Sequence, residues 1–155
     1  MNAEQLVFDL LAGLGLAVNA VVVGRSYGTL PDRLPIHFDL RGRPDSWGPR
    51  WSILGFLALS AGIQVLMRWT GRGDAEFNSP VRLTPENAAR QERLARLLVD
   101  CLRVELAWLF AFLGWKIVAV ARGRSSGLGW PVVAAILAVG VLTPLVWALL
   151  AFLAR

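Results

Sequence analysis

Four long apolar runs decide what this chain can be. Residues 6–23 are interrupted only by Asp9 and Asn19, and 51–67 carry no charge. Residues 104–121 hold Glu105 and Lys116, and 131–154 are again uncharged. A hydrocarbon core of about 30 Å takes about 20 helical residues, with roughly 17 to 25 the usual range, and each run meets it. Only a helix satisfies every backbone donor within such a run. Over half of the residues are apolar and 7 are tryptophan, more apolar surface than a soluble domain of this size can hide. The expectation is an all-α membrane protein, a single four-helix transmembrane domain over 1–155. Its spans fall at about 6–23, 51–68, 104–121 and 131–153.

Details of the runs refine this expectation. Small residues at Gly13, Gly15, Gly55, Ser60, Ala61 and Gly62 suit close helix approach in lipid. Gly140 and Pro144 predict a kink in the fourth helix. Trp51, Trp69 and Trp130 fall at span ends, where amphipathic rings prefer the interface. The first run lacks a basic n-region and an A-x-A site, so it is expected to be a retained anchor. Thr84-Pro85-Glu86 is a helix start: N-cap, proline at the first helical position, acid in the first turn. Apolar Leu94, Leu97, Leu98, Cys101 and Leu102 follow at helical spacing, with Glu86–Arg90 and Glu92–Arg96 as i,i+4 pairs. No breaker intervenes before the third span. The third helix is therefore expected to be extended over 85–103, that part lying outside the hydrocarbon or at its surface.

The formal charge is +5. In a membrane chain such charge points to an anionic membrane surface rather than nucleic acid. An inside N-terminus puts Arg68, Arg72, Arg82, Arg90, Arg93, Arg96, Arg103 and Arg155 in the cytoplasm. Outside it leaves Arg25, Arg33, Arg41, Arg43, Arg50, Arg122 and Arg124, and the positive-inside rule tips narrowly to that orientation. One cysteine, Cys101, excludes an internal disulfide and a two-Cys metal motif.

The first loop, 30–50, is no plain spacer. Four prolines pin it, Ile36, Phe38 and Leu40 alternate with His37 and Asp39 as in a short strand, and 41–45 reads as a turn. His37 is the only histidine. With Asp32, Asp39 and Asp45 it could make a His/carboxylate metal site, but zinc wants three or four ligands with His or Cys prominent, and the interleaved arginines compete for the acids. A hydrogen-bonded structural His is the plainer reading; no metal or cofactor is expected. No paired-His motif, nucleophile–base set or phosphate loop appears, so no catalytic residue is assigned. Glu105 and Lys116 are the intramembrane ionisable candidates. Each sits near an end of its run, where it can snorkel or pair.

Leu30, Pro31 and Asp32, then Pro35, His37 and Phe38, then Gly42, Pro44, Asp45, Trp47 and Gly48 resemble the signature loop of the bacterial domain-of-unknown-function 1648 family. Asn78, Pro80 and Val81, 84–87, Gln91, Leu94 to Arg96, Leu102, Glu105 and Trp115 are similar to its small standalone members. Where the family commonly has a lysine after the glycine, Pro49-Arg50 keeps the charge. The resemblance implies a multi-pass bacterial envelope protein, related to the N-terminal part of Sdp-type toxin immunity proteins, and no catalytic set. The expected function is a non-enzymatic protein of the cell membrane whose 30–50 loop is a partner-binding or immunity/sensor-like element. Its binding residues would be Pro31, Asp32, Pro35, His37, Phe38, Gly42, Asp45, Trp47 and Arg50, and its partners the bilayer and a peptide or membrane protein. The alternative is a small transporter or transporter subunit with a polar path through Asp9, Asn19, Gln64, Glu105 and Lys116. A metalloenzyme using His37 stands third.

Overall fold

The computed structural model describes residues 3–70 and 79–155. Met1, Asn2, Arg72 and Asn78 lie outside the described residues. Helices α1 (Ala3–Tyr27), α2 (Ser52–Thr70), α3 (Ala88–Ala121) and α4 (Trp130–Leu153) are each long and apolar enough to cross a membrane. The all-α class is refined at the first loop, where the sequence suggested a short strand and a turn and the structure has two paired strands. Strands β1 (Arg33–Phe38) and β2 (Pro44–Pro49) form an antiparallel hairpin, with irregular register around His37. The alternating residues and turn composition of 36–45 dictate it; the prolines sit where a two-stranded ribbon tolerates a missing donor.

α3 is the helix on which the others assemble. α1 runs parallel to it: Glu4 meets Arg93, Asp9 meets Arg103, and Asn19 meets Gly114. A Cβ on Gly15 would lie 3.0 Å from Ala107, so these backbones approach closely. Gly13, Gly55 and Gly62 do not share this role, for they have open space beside them. α2 returns antiparallel, with Phe56 tilted against Phe110 at 4.9 Å between ring centroids. α4 packs antiparallel on another face of α3: the Gln91 amide donates to the Ala151 carbonyl at 2.9 Å, occupying one of the helix's last carbonyls. Gly140 and Pro144 lie within one uninterrupted helix.

The extension of α3 does not protrude as a separate surface helix. Its residues 91–103 lie beside the start of α1 and the end of α4. The helix proper begins at Ala88, three residues after the expected start. Thr84 keeps the backbone role of a cap, since its carbonyl accepts from the Ala88 amide at 2.9 Å. Asn87, however, turns its side chain back to the Thr84 amide and the Arg82 carbonyl, which makes 85–87 a turn. The Glu92–Arg96 pair forms at 2.6 Å.

Packing is inverted relative to a soluble bundle. Leu10, Leu14, Val65, Leu145 and Leu149 are among many exposed large apolar side chains, a surface that lipid accommodates and water does not. Trp51, Trp69 and Trp130 are exposed at helix ends. At one end of the bundle Val23, Leu30, Leu34, Ile53, Ile117 and Val118 form a buried cluster. The hairpin thus closes that end with its own apolar underside.

Candidate functional site

The hairpin's turn is built by one carboxylate. Asp39 Oδ1 accepts from the amides of Arg41 (2.9 Å) and Arg43 (2.8 Å), and Oδ2 from Arg43 Nε (3.2 Å). The backbone hydrogen bond from Arg43, helped by that from Arg41 and the Arg43 guanidinium, holds the Asp39 carboxyl below its ordinary value against a smaller opposing desolvation. Gly42 closes the turn with φ +75°, a conformation that favours glycine.

The expected binding residues then divide into two groups. Pro35, Phe38, Gly42 and Arg50 hold the fold. Leu34 and Pro35 are buried beneath the hairpin, and Phe38 packs against the same cluster. Arg50 ties the loop's ends together: its amide donates to the Asp32 carbonyl (2.8 Å), Nη1 to the Leu30 carbonyl (3.3 Å), and its guanidinium lies 5.6 Å from the Tyr27 ring centroid. The Arg50–Asp32 carboxylate contact is long, 3.9 Å, and exposed. Gly42 fits against the α3–α4 loop, where its carbonyl accepts from the Leu128 amide at 2.7 Å. A Cβ there would come within 2.9 Å of the Gly129 nitrogen.

The rest face outward. His37 Nδ1 lies 2.6 Å from Asp45 Oδ1, with side chains 67% and 45% exposed. Trp47 is exposed, as are Ile36, Leu40 and Pro31. Among the described residues no three His, Cys, Asp or Glu side chains converge as metal ligands. His37 has one carboxylate, Asp45, while Asp39 and Asp32 are turned to arginines.

The intramembrane candidates do not meet. Lys116 reaches the α3–α4 loop, 3.3 Å from Ser125 Oγ and 3.2 Å from the Gly127 carbonyl, with the Trp115 ring centroid 5.2 Å away. Its amine is thus held by the loop at the hairpin end. Glu105 instead accepts from Thr143 Oγ1 at 2.5 Å. Thr143 lies near the middle of α4, about 20 Å from the Trp130 end at 1.5 Å per residue. Glu105 is therefore midway along the bundle, not near an end, beside an apolar groove of about 400 Å³ between α3 and α4.

On the α1–α2 side of α3 lies a polar seam that sequence reasoning saw only in part. Arg103, with its side chain 6% exposed, donates from Nη1 to Asp9 (3.1 Å) and Asp100 (3.0 Å), and Arg68 pairs with the other Asp9 oxygen. Gln64 donates to the Arg103 carbonyl at 3.0 Å. Farther along, Ser60 and Asn19 are buried, and among the described residues the Asn19 side-chain atoms and Ser60 Oγ have no hydrogen-bond partner. Asp9 and Gln64 of the expected polar path are joined here through Arg103, and Asn19 lies farther along against Gly114, whereas Glu105 and Lys116 lie elsewhere. The signal for the Arg103 pairing was available: an acid inside the first span requires a buried base.

Fold and site together define a multi-pass helical membrane protein with a structured hairpin at one end of its bundle. Residues 14–61 match the family model described as Domain of unknown function (DUF1648). This part of the chain, from α1 through the hairpin into α2, is a DUF1648 segment, as the loop motif indicated. No curated protein and no solved structure matches the chain.

Proposed function

We propose that this is a non-enzymatic protein of the bacterial cell membrane whose hairpin captures a peptide or membrane-protein partner, in the manner of an immunity or sensor element. The observation that carries this reading is the division of labour within the hairpin. Asp39, Gly42 and Arg50 are consumed in holding its shape, while His37, Asp45 and Trp47 face outward with no load on the core. Exposed polar and aromatic side chains on a rigid support are the usual ingredients of a recognition surface. Affinity capture from native membranes tests it. The wild type is expected to retain a partner that the His37→Ala/Asp45→Ala/Trp47→Ala variant loses, while the two proteins melt alike. Equal capture by both would overturn the reading.

A second reading, a small transporter or transporter subunit, is favoured by the unpartnered polar atoms of Asn19 and Ser60 in the seam. It requires proton flux in proteoliposomes that falls in Asn19→Leu or Glu105→Gln; flux indifferent to both substitutions would remove it.

A further inference from the structure

One group of cations at the hairpin end stands apart from those that are paired elsewhere in the bundle. At the end where α1 begins, Arg68, Arg93, Arg96 and Arg103 each pair with a carboxylate. At the hairpin end, Arg25, Lys116, Arg122 and Arg124 surround one groove of about 520 Å³ between α1 and α3, and no acidic side chain lines it. Among the described residues none of these four has an ion pair. Arg122 donates to the Thr29 hydroxyl at 2.5 Å, and Lys116 to Ser125 and the Gly127 carbonyl, all neutral acceptors. The hairpin's acids offer no countercharge, because Asp32, Asp39 and Asp45 face Arg50, Arg43 and His37.

We propose that this groove binds the phosphate of an acidic phospholipid, with the acyl chain lying along Val21, Val118 and Ala119. The helix dipole accounts for part of the charge, since α1 and α3 both end here and a C-terminus favours cations. It accounts for Arg25 in the last turn of α1 and Arg122 at the cap of α3. It does not account for Lys116, more than a turn inside α3, or Arg124, beyond it. Four like charges facing one groove repel one another, and an anion relieves that repulsion. Arginine and lysine are suited to phosphate, the first by bidentate donors and the second as a point charge. The apolar floor selects an anion that carries a hydrocarbon chain. Trp115 is exposed at the edge, as an interfacial aromatic would be. Ser26 and Ser125 add hydroxyls among the lining groups.

Among the described residues Arg25 and Arg124 make no side-chain hydrogen bond, so replacing them leaves those bonds intact. Native mass spectrometry of the detergent-solubilised full chain, titrated with phosphatidylglycerol or phosphatidylcholine, reads the site directly. Phosphatidylglycerol adducts are expected to dominate. The Arg25→Gln/Arg124→Gln variant should weaken them about fivefold per cation removed, from the worth of a basic residue beside an anionic lipid. Arg90→Gln/Arg155→Gln, a charge-matched change at the opposite end, should leave them unchanged. Equal loss in both variants, or no loss in the first, overturns the proposal. Displacement of phosphatidylglycerol by millimolar inorganic phosphate also overturns it, by assigning the groove to a free anion.

Discussion

At the scale of the residue, Asp39 and its neighbours illustrate how much of a motif is architecture. A carboxylate that accepts two amides and a guanidinium is the keystone of the turn, although a reading for metal ligands counted it with His37 as a donor. Spacing could show that acids and arginines were interleaved, and so that they would compete. It could not show which acid each cation would choose, because that depends on the irregular strand register around His37. The consequence is a pH dependence with a definite sign. The folded-state pKa of Asp39 is lowered, principally by the Arg43 backbone bond, so its contribution is fully present above the ordinary carboxylate value of about 4. It is lost as pH falls through the lower folded value. The protection factors of the Arg41 and Arg43 amides, with the intrinsic pH dependence of exchange divided out, should therefore hold from neutral pH down to about 4 and fall only below it. In Asp39→Asn this acid-induced loss of protection should vanish. Loss of protection near pH 6 in the wild type would show that another group governs the turn.

At the scale of the element, hydropathy located all four helices, and the start signal at Thr84 came within a turn of α3's beginning. What it could not weigh was pairing between helices. Counting apolar residues ended the third span at Arg103 and so set Glu105 beside an end. Arg103 is not a boundary, for Asp9 and Asp100 neutralise it inside the bundle, and the same face of α3 continues past it along α1 and α2. A charge paired by another helix is invisible to a one-dimensional scan. This cluster joins α1, α2 and α3, and removing one member strands the others. Asp9→Asn should lower stability by about 3–5 kcal/mol, the range for uncompensating a buried pair. Asp9→Asn/Arg68→Gln, which restores the charge balance, should recover part of that loss. Thermal melting in a fixed detergent measures both, and an unchanged melting temperature for Asp9→Asn would mean that lipid or water already solvates the cluster.

At the scale of the whole molecule, the hairpin adds a contact between the DUF1648 segment and the 127–129 loop to those that α1 and α2 make with α3. Its motif marked it as ordered, but nothing in the motif said what orders it. The answer lies near residue 127, outside the matched region: the Gly42 carbonyl faces the 127–129 stretch, and a Cβ on Gly127 would fall 2.1 Å from that oxygen. Two glycines far apart in sequence therefore make one close backbone approach, and two-residue patterns at such separation are not legible in a single sequence. Gly42→Ala combines a left-handed conformation with the clash at Gly129, and Gly127→Ala drives a methyl into the Gly42 carbonyl. Each should destabilise by about 1–3 kcal/mol, the usual range for overpacking a tight site. Because both break the same contact, the double variant should lose clearly less than the sum, which is how neighbours depart from additivity. Gly140→Ala, with open space around it in α4, should be tolerated. If the hairpin needs this seat to present His37, Asp45 and Trp47, partner capture should fall with the docking contact even though the outward side chains are unchanged. Full additivity of the two glycine variants would mean that the hairpin and the 127–129 loop are stabilised independently, and the link between the two halves of the chain would have to be sought in the helices alone.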